Sequence, residues 1–429
     1  MRSVYVILHY LLMTAYLLAP VAAVAWSLRR RRRDGVPAGS TASPPTGLIG
    51  TFVAGTVMGV ALSVIYAVAV KGTVSIAQSV LAAYFATALL LLLRAFDWGL
   101  RGVVWWLSVR RDGNDPARRG VRVRRPVTLI GNVVRVAILF GFGLPFVMAA
   151  IVTYRPKVLP NDTPATQLGF QFEPVAFDAT DGVRISGWWL PAQGRPTRAG
   201  DRTVIVCHGL GANKSNQLIL ARRLVPAGYN VLAIDLRAHG ESGGQLTSFG
   251  DNERRDVLGA VRWLRQNKPD AARRIFGVGA SQGGVALLAA AADDSPEGRA
   301  IDAVAVYGGY DDLNALVGTL ARRTFLPPLN WLIERLALPI ASAHVGADLP
   351  RFKPADLAMQ IWPRPILIIH GVQDQIIDFT HGRRLFDLAT QPKEALWIDR
   401  GDHNSIVNSE AAADAVRLFF DTAEAVPVI

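Results

Sequence analysis

The stretch Ile275–Ala290, IFGVGASQGGVALLAA, decides how the rest of the chain is read. Its first four residues form a short apolar run suited to a buried strand, and residues 285–290 are apolar helix formers. Between them, Gly279-Ala280-Ser281-Gln282-Gly283 fits G-x-S-x-G, a pattern that sets a serine on a sharp turn between a strand and a helix. Such a turn is strained and leaves no room for side chains on the neighbouring backbone, so glycines flank the serine at 279 and 283. The same pattern recurs at Gly240-Glu241-Ser242-Gly243-Gly244. That copy lies past Asp235 with no helical apolar period after it, and it reads as an ordinary polar turn.

Working outward, residues 172–177 and 183–190 read as two strands joined at Asp181-Gly182, a hairpin signal. Apolar runs follow at 203–207, 230–235, 274–278, 301–306, 365–369 and 395–398. Helix-like stretches at 216–225, 252–265, 281–292, 381–389 and 411–423 lie between most of them. Buried strands alternating with helices imply an α/β domain with a mainly parallel sheet covered on both faces. The alternation is broken once, at residues 308–364, which contain Phe325-Leu326-Pro327-Pro328-Leu329 and Trp331. An insertion of this length is expected to form a small helical cap.

A serine hydroxyl is a weak nucleophile and needs a base, itself oriented by an acid. The run at 365–369 leads into His370-Gly371-Val372-Gln373-Asp374, and the run at 395–398 leads into Asp399-Arg400-Gly401-Asp402-His403-Asn404. Asp374 and His403 therefore each lie just past a strand end, giving the chain order Ser281, Asp374, His403. Asp378, the substitute for Asp374, falls where a helix starts and is more simply a cap. His208, His239, His344, His370 and His381 read as structural or surface residues. The oxyanion of a tetrahedral intermediate needs N–H donors, and the backbone N–H of Gln282 supplies one. The loop after the run at 203–207, His208-Gly209-Leu210-Gly211, supplies the other, with Leu210 favoured over Gly209 and Gly211.

In order along the chain, HGLGANKSN (208–216), DLRAHGESGG (235–244), GASQGG (279–284), HGVQDQIID (370–378) and GDHN (401–404) resemble the successive motifs of the α/β-hydrolase superfamily. The opening DATDGVRISGWWLPA (178–192) is similar to that of its membrane-tethered serine hydrolases. The resemblance covers roughly residues 170–424. It implies the α/β-hydrolase fold, a Ser281–Asp374–His403 triad, hydrolysis through an acyl-enzyme, no metal and no organic cofactor.

The remainder of the 429 residues has a different character. The chain is 51% apolar and 19% charged, which is too apolar for an ordinary soluble protein. Four stretches read as transmembrane helices, at about 4–28, 48–70, 72–93 and 127–154, with Arg135 interrupting the last. Residues 155–169, with Pro156, Pro160 and Pro164, read as a linker to a domain spanning 170–429. Residues 1–157 hold 19 Lys and Arg against 4 Asp and Glu, whereas the rest holds 27 against 30. The net charge of +12 is thus concentrated beside apolar segments, where it reads as a topology signal and not as a nucleic-acid footprint. Arg29–Arg33 and nine arginines between 94 and 125 fall on one side of the membrane if all four helices span. The chain is then an integral protein of the plasma (inner) membrane with its α/β domain on the extracytoplasmic side. His9 and Arg135 are the only ionisable groups in the spans, which favours an anchor over a transporter. The single cysteine, Cys207, excludes an intramolecular disulfide.

The reading is a membrane-anchored serine hydrolase acting on an ester or thioester. The apolar cap and the bilayer favour a small-molecule or lipid acyl substrate. Acyl transfer or peptide hydrolysis by the same residues, and a non-catalytic binding protein that keeps the fold, are the alternatives.

Overall fold

The computed structural model of the chain describes residues 46–69, 143–154, 157–193 and 201–423, with scattered positions between 83 and 137. The chain divides into two compact units, Met1–Ile151 and Val152–Ile429.

In the first unit, helix α1 (Thr46–Ala69) runs for 24 residues without a charged side chain. Its described side chains, at 50–61, fall on two faces. Thr51, Gly55 and Gly59, four residues apart, are buried, while Val53, Val57, Met58 and Val60 are exposed. Gly55 is required where it stands, because a Cβ there would run into the Thr87 side chain. Arg94 donates a 2.6 Å hydrogen bond to the Thr51 hydroxyl. Helix α2 (Leu144–Thr153) is also free of charge. Among the described residues no helix is long and apolar enough to cross a membrane, the described side chains of α1 covering only about 18 Å. Of the four expected spans, 4–28 lies outside the described residues, as do most of 72–93, most of 127–142 and nearly all of the arginine-rich loops.

The second unit opens with a tied-down segment. The stretch expected as a linker includes helix α3 (Pro164–Leu168), whose N-cap Thr163 forms a capping box with Thr166. Lys157 donates to the Ser242 carbonyl, and the Val158 carbonyl accepts from Asn213. A hairpin of β1 (Glu173–Asp178) and β2 (Arg184–Leu190) comes next, its turn using a positive φ of 83° at Gly182. The strands β3 (Arg202–Cys207), β4 (Asn230–Ile234), β5 (Arg274–Ala280), β6 (Ile301–Tyr307), β7 (Ile366–Gly371) and β8 (Lys393–Ile398) complete an eight-stranded sheet. Its order is β1-β2-β4-β3-β5-β6-β7-β8, with β3 to β8 parallel and β2 antiparallel to β4.

Because successive side chains on a strand face opposite ways, each apolar run feeds two cores. Val204, Val206, Phe276 and Val278 pack under helices α4 (Leu218–Leu224) and, at the C-terminus, α11 (Glu410–Ala423). Ile205, Cys207, Ile275 and Ile368 pack under α5 (Arg254–Asn267), α6 (Gln282–Ala291), α9 (Pro354–Gln360) and α10 (Phe379–Leu388). The insertion after β6 resolves into two parts. Helices α7 (Leu313–Thr324) and α8 (Leu329–Val345) pair with each other, Arg322 bonding Glu334 at 3.0 Å. Helix α9 instead joins the sheet through Ala355 and Ala358, with Ile361 just after it. Within the 308–364 expected as a cap, α7 and α8 thus pair with each other while α9 packs into the sheet layer. Insertion length alone does not distinguish a helix that covers the sheet edge from one that completes a layer.

Candidate active site

Ser281 stands between β5 and α6 with φ 50° and ψ −119°, a backbone conformation that L residues rarely adopt. Three features hold it there. Its N–H donates to the Tyr307 carbonyl at 2.6 Å, at the end of β6. A Cβ on Gly279 would lie 2.5 Å from the Gly283 carbonyl carbon, and one on Gly283 would lie 2.7 Å from the Cys207 carbonyl oxygen. The turn thus closes only with glycine at both positions.

Asp374 lies past the end of β7 and is buried. Its Oδ1 accepts N–H bonds from Ile376 and Ile377, both at 2.8 Å, which leaves Oδ2 aimed elsewhere. His403, past β8, meets that oxygen with Nδ1 at 2.7 Å. The carboxylate so fixed selects the tautomer with the proton on Nδ1 and leaves Nε2 free to accept one. The His403 ring packs against Gly308, where a Cβ would lie 3.3 Å from both Nδ1 and Cε1. Gly308 directly follows Tyr307, the residue that receives the Ser281 N–H. Serine and histidine therefore converge on one strand end. Among the described residues no hydrogen bond joins the Ser281 hydroxyl to His403.

The third loop belongs to His208–Gly211, after β3. A Cβ on Gly209 would be 3.5 Å from the Ser281 Cβ, so this loop runs beside the serine. Neither the Leu210 nor the Gln282 backbone N–H donates to a described protein acceptor. The Gln282 side-chain amide is buried with neither atom hydrogen-bonded. The loop is pinned by His208, whose Nδ1–H donates to the Gly209 carbonyl at 2.8 Å while Nε2 accepts from Leu236 N–H at 3.0 Å. Burial, with His239 beside it, lowers the His208 pKa to about 3 despite the Gly209 carbonyl, so the ring stays neutral.

The rival residues take structural places. The Ser242 hydroxyl is fully buried, donating to the Asp235 carbonyl at 2.6 Å and accepting from Ser186 N–H at 2.8 Å. Asp378 caps α10 through Thr380 and pairs with Arg323 at 2.9 Å. His370 donates from Nε2 to the Ile377 carbonyl at 2.9 Å, and burial lowers its pKa. His381 pairs with Asp311. No cluster of His, Cys, Asp and Glu able to hold a metal occurs among the described residues.

The sequence reading missed Tyr307 and Gly308, although the glycine pair at 308–309 directly after an apolar run marks a close approach. It also missed Lys214. This buried side chain donates to Asp235 and Glu241, both at 2.6 Å, while its backbone N–H donates to Asp235 at 2.7 Å. The pair anchors the far end of the loop that carries Leu210. A lysine three residues after a glycine in a polar loop gives no signal of burial.

The comparisons agree with this fold. A family model described as alpha/beta hydrolase fold matches residues 202–353. The uncharacterized protein YqkD of Bacillus subtilis is 30% identical over 237 residues, 54% of this chain and 74% of that protein. The uncharacterized protein YfhR of Escherichia coli K12 is 27% identical over 265 residues, 60% of this chain and 84% of that one. Among solved structures, the Pyrococcus furiosus esterase Pf2001 aligns with a TM-score of 0.50 at 25% identity, covering 63% of this chain and 98% of that chain. The class defined by sheet, turn and paired acid and base is the α/β hydrolase, and this chain belongs to that superfamily. Esterase-like neighbours support a hydrolase activity in general.

Proposed function

We propose that the protein is a membrane-anchored serine hydrolase that cleaves a carboxylic ester or thioester. The carrying observation is the Ser281 backbone, held at positive φ between β5 and α6, with the Asp374–His403 pair at the same end of the sheet. In this reading His403 Nε2 takes the hydroxyl proton as Ser281 Oγ bonds to the carbonyl carbon. The N–H groups of Leu210 and Gln282 hold the oxyanion, each worth about 2.7–4 kcal/mol of barrier. The intermediate collapses, the C–O or C–S bond breaks, and the leaving group departs with the proton from His403. A water then repeats the sequence, its proton going to His403 and its oxygen to the acyl carbon, and Ser281 is released with the proton. Asp374 holds the imidazole and balances its charge while the proton resides there.

The anchor is supported by the inverted polarity of α1. Its buried face is small, Thr51 and Gly55, and its exposed face is apolar, Val53, Val57 and Val60. Helices packed in lipid show that arrangement, since small residues let backbones approach and the outward face meets hydrocarbon. The arginine distribution, with all four helices spanning, supports a hydrolase unit on the extracytoplasmic side of the plasma membrane. The apolar cap supports a hydrophobic acyl or lipid substrate.

Labelling of membranes with a fluorophosphonate probe tests the chemistry. Wild type and Ser242→Ala are expected to label and Ser281→Ala is not. Labelling that survives Ser281→Ala, or a wild type that fails to label, rejects the assignment. Protease accessibility of the hydrolase unit in intact spheroplasts tests the sidedness.

A further inference from the structure

The cap carries a feature that the hydrolysis does not use. The α7–α8 connection is Phe325-Leu326-Pro327-Pro328, and it is tight, the Leu326 carbonyl accepting from Leu329 N–H at 3.0 Å. Leu326 is 84% exposed, and Trp331 in the first turn of α8 is 54% exposed. A leucine projecting this far makes a convex apolar tip. Guanidinium groups rim it. Arg322 reaches across to Glu334 at 3.0 Å, Arg323 bonds Asp378, and Arg335 lies 5.4 Å from the Trp331 ring centre. Between 313 and 333 the sequence has no acidic residue, although residues 158–429 hold more Asp and Glu than Lys and Arg.

We propose that this tip is a lipid-contact surface. Leu326, Pro327 and Trp331 enter the interfacial layer of an anionic bilayer, and Arg322, Arg323 and Arg335 sit at headgroup level. Tryptophan and leucine beside arginine suit that layer, where an indole ring has its amphipathic place and basic groups meet anionic headgroups. A protein partner fits less well, since a stable interface covers roughly 800 Å² on each side and a convex tip of a few side chains offers no such area. The inference rests on the reading that the chain is held at a bilayer. It adds that the α7–α8 hairpin is itself wetted by lipid.

The test uses the full chain in vesicles of phosphatidylcholine and phosphatidylglycerol. Cys207, the only cysteine, is fully buried, so single introduced cysteines take the label. Leu326→Cys, Val57→Cys in α1 and Asp294→Cys on the open surface each carry an environment-sensitive fluorophore. The label at 326 is expected to emit to the blue of that at 294, to resist aqueous iodide and to be quenched by lipid-borne nitroxide. Omitting phosphatidylglycerol is expected to weaken that quenching and to leave the label at 57 unchanged. If 326 is as open to iodide as 294 while 57 is protected, the tip proposal fails and the anchor stands. If 57 is open as well, the anchor reading fails and takes this proposal with it. Protection at 326 without nitroxide quenching signals a protein contact, which also overturns the proposal.

Discussion

Two turns of this molecule share the pattern G-x-S-x-G and are built for opposite purposes. At 279–283 the serine is strained at positive φ, its N–H is tied to Tyr307, and its hydroxyl has no described protein partner. At 240–244 the positive φ values fall on the glycines, Gly240 and Gly244, and the serine hydroxyl is buried with two partners. Strain at the first turn falls on the serine proposed as nucleophile, whereas at the second it falls on residues that have no side chain to strain. A five-residue pattern therefore says nothing about which atom is free to react. The answer lies in what each neighbouring element does with the backbone.

The largest expected effect separates the two serines. Ser281→Ala should lower kcat for an activated ester on the order of 10⁴-fold or more. Ser242→Ala should keep its activity while losing about 1–3 kcal/mol of stability, because the buried Ser186 N–H and Asp235 carbonyl both lose their partner. Equal kinetic losses in the two variants would dissolve the comparison. Next comes Asp374→Asn, expected to lower kcat on the order of 10⁴-fold with little change in stability. Its amide oxygen can still accept from Ile376 and Ile377, but the other atom is now an NH₂ facing His403 Nδ1 and favours the wrong tautomer. Retained activity in that variant removes Asp374 from the site.

The glycines sharpen the same contrast. Gly283→Ala sets a Cβ against the Cys207 and His208 carbonyls, backbone that moves only if the serine turn parts from the loop carrying Leu210. Loss of probe labelling is expected even in any fraction that folds. Gly244→Ala meets its nearest atom at 3.4 Å and should cost only the left-handed backbone penalty, about 1–2 kcal/mol, with labelling intact. Thermal unfolding and probe labelling of both variants read the difference.

How much of this was legible in the sequence differs by residue. The strand–turn–helix around Ser281 was, since an apolar run, a glycine-flanked serine and a helical run are all local signals. Asp374 and His403 were placed by position past apolar runs, and the two meet in space although 29 residues separate them. The place of α9 within 308–364 was not legible, because Ala355, Ala358 and Ile361 are as compatible with a lid as with a layer, and only packing against the sheet decides. Lys214 was invisible, because a lysine is almost never fully buried and nothing near it in sequence announces the carboxylates it meets. The proline-containing stretch at 155–169 reads as a linker because the groups that hold its described part, Ser242 and Asn213, lie far along the chain.

An effect on stability alone, and only on acidification, comes from the residue that joins the two turns. His208 places its carbonyl against Gly283, bonds Leu236 N–H through Nε2, and packs its ring 5.0 Å from that of His239, next to Gly240. It does so only when neutral, since a second ring proton would occupy the nitrogen that accepts from Leu236. Its pKa falls from 6.5 in the unfolded chain to about 3 in the fold, chiefly through burial. Between those values the unfolded state binds the extra proton and the folded state does not. The stabilisation is therefore complete above about pH 6.5 and is lost as the pH falls toward the folded value. At pH 5 the group alone should cost about 2 kcal/mol relative to pH 7. Other groups titrate over the same interval, so the informative quantity is a difference. Urea unfolding of wild type and His208→Gln at both pH values should show the variant losing about 2 kcal/mol less on acidification. Equal losses would mean that the ring is not held neutral, and that the junction between reactive and structural turn is kept by the backbone alone.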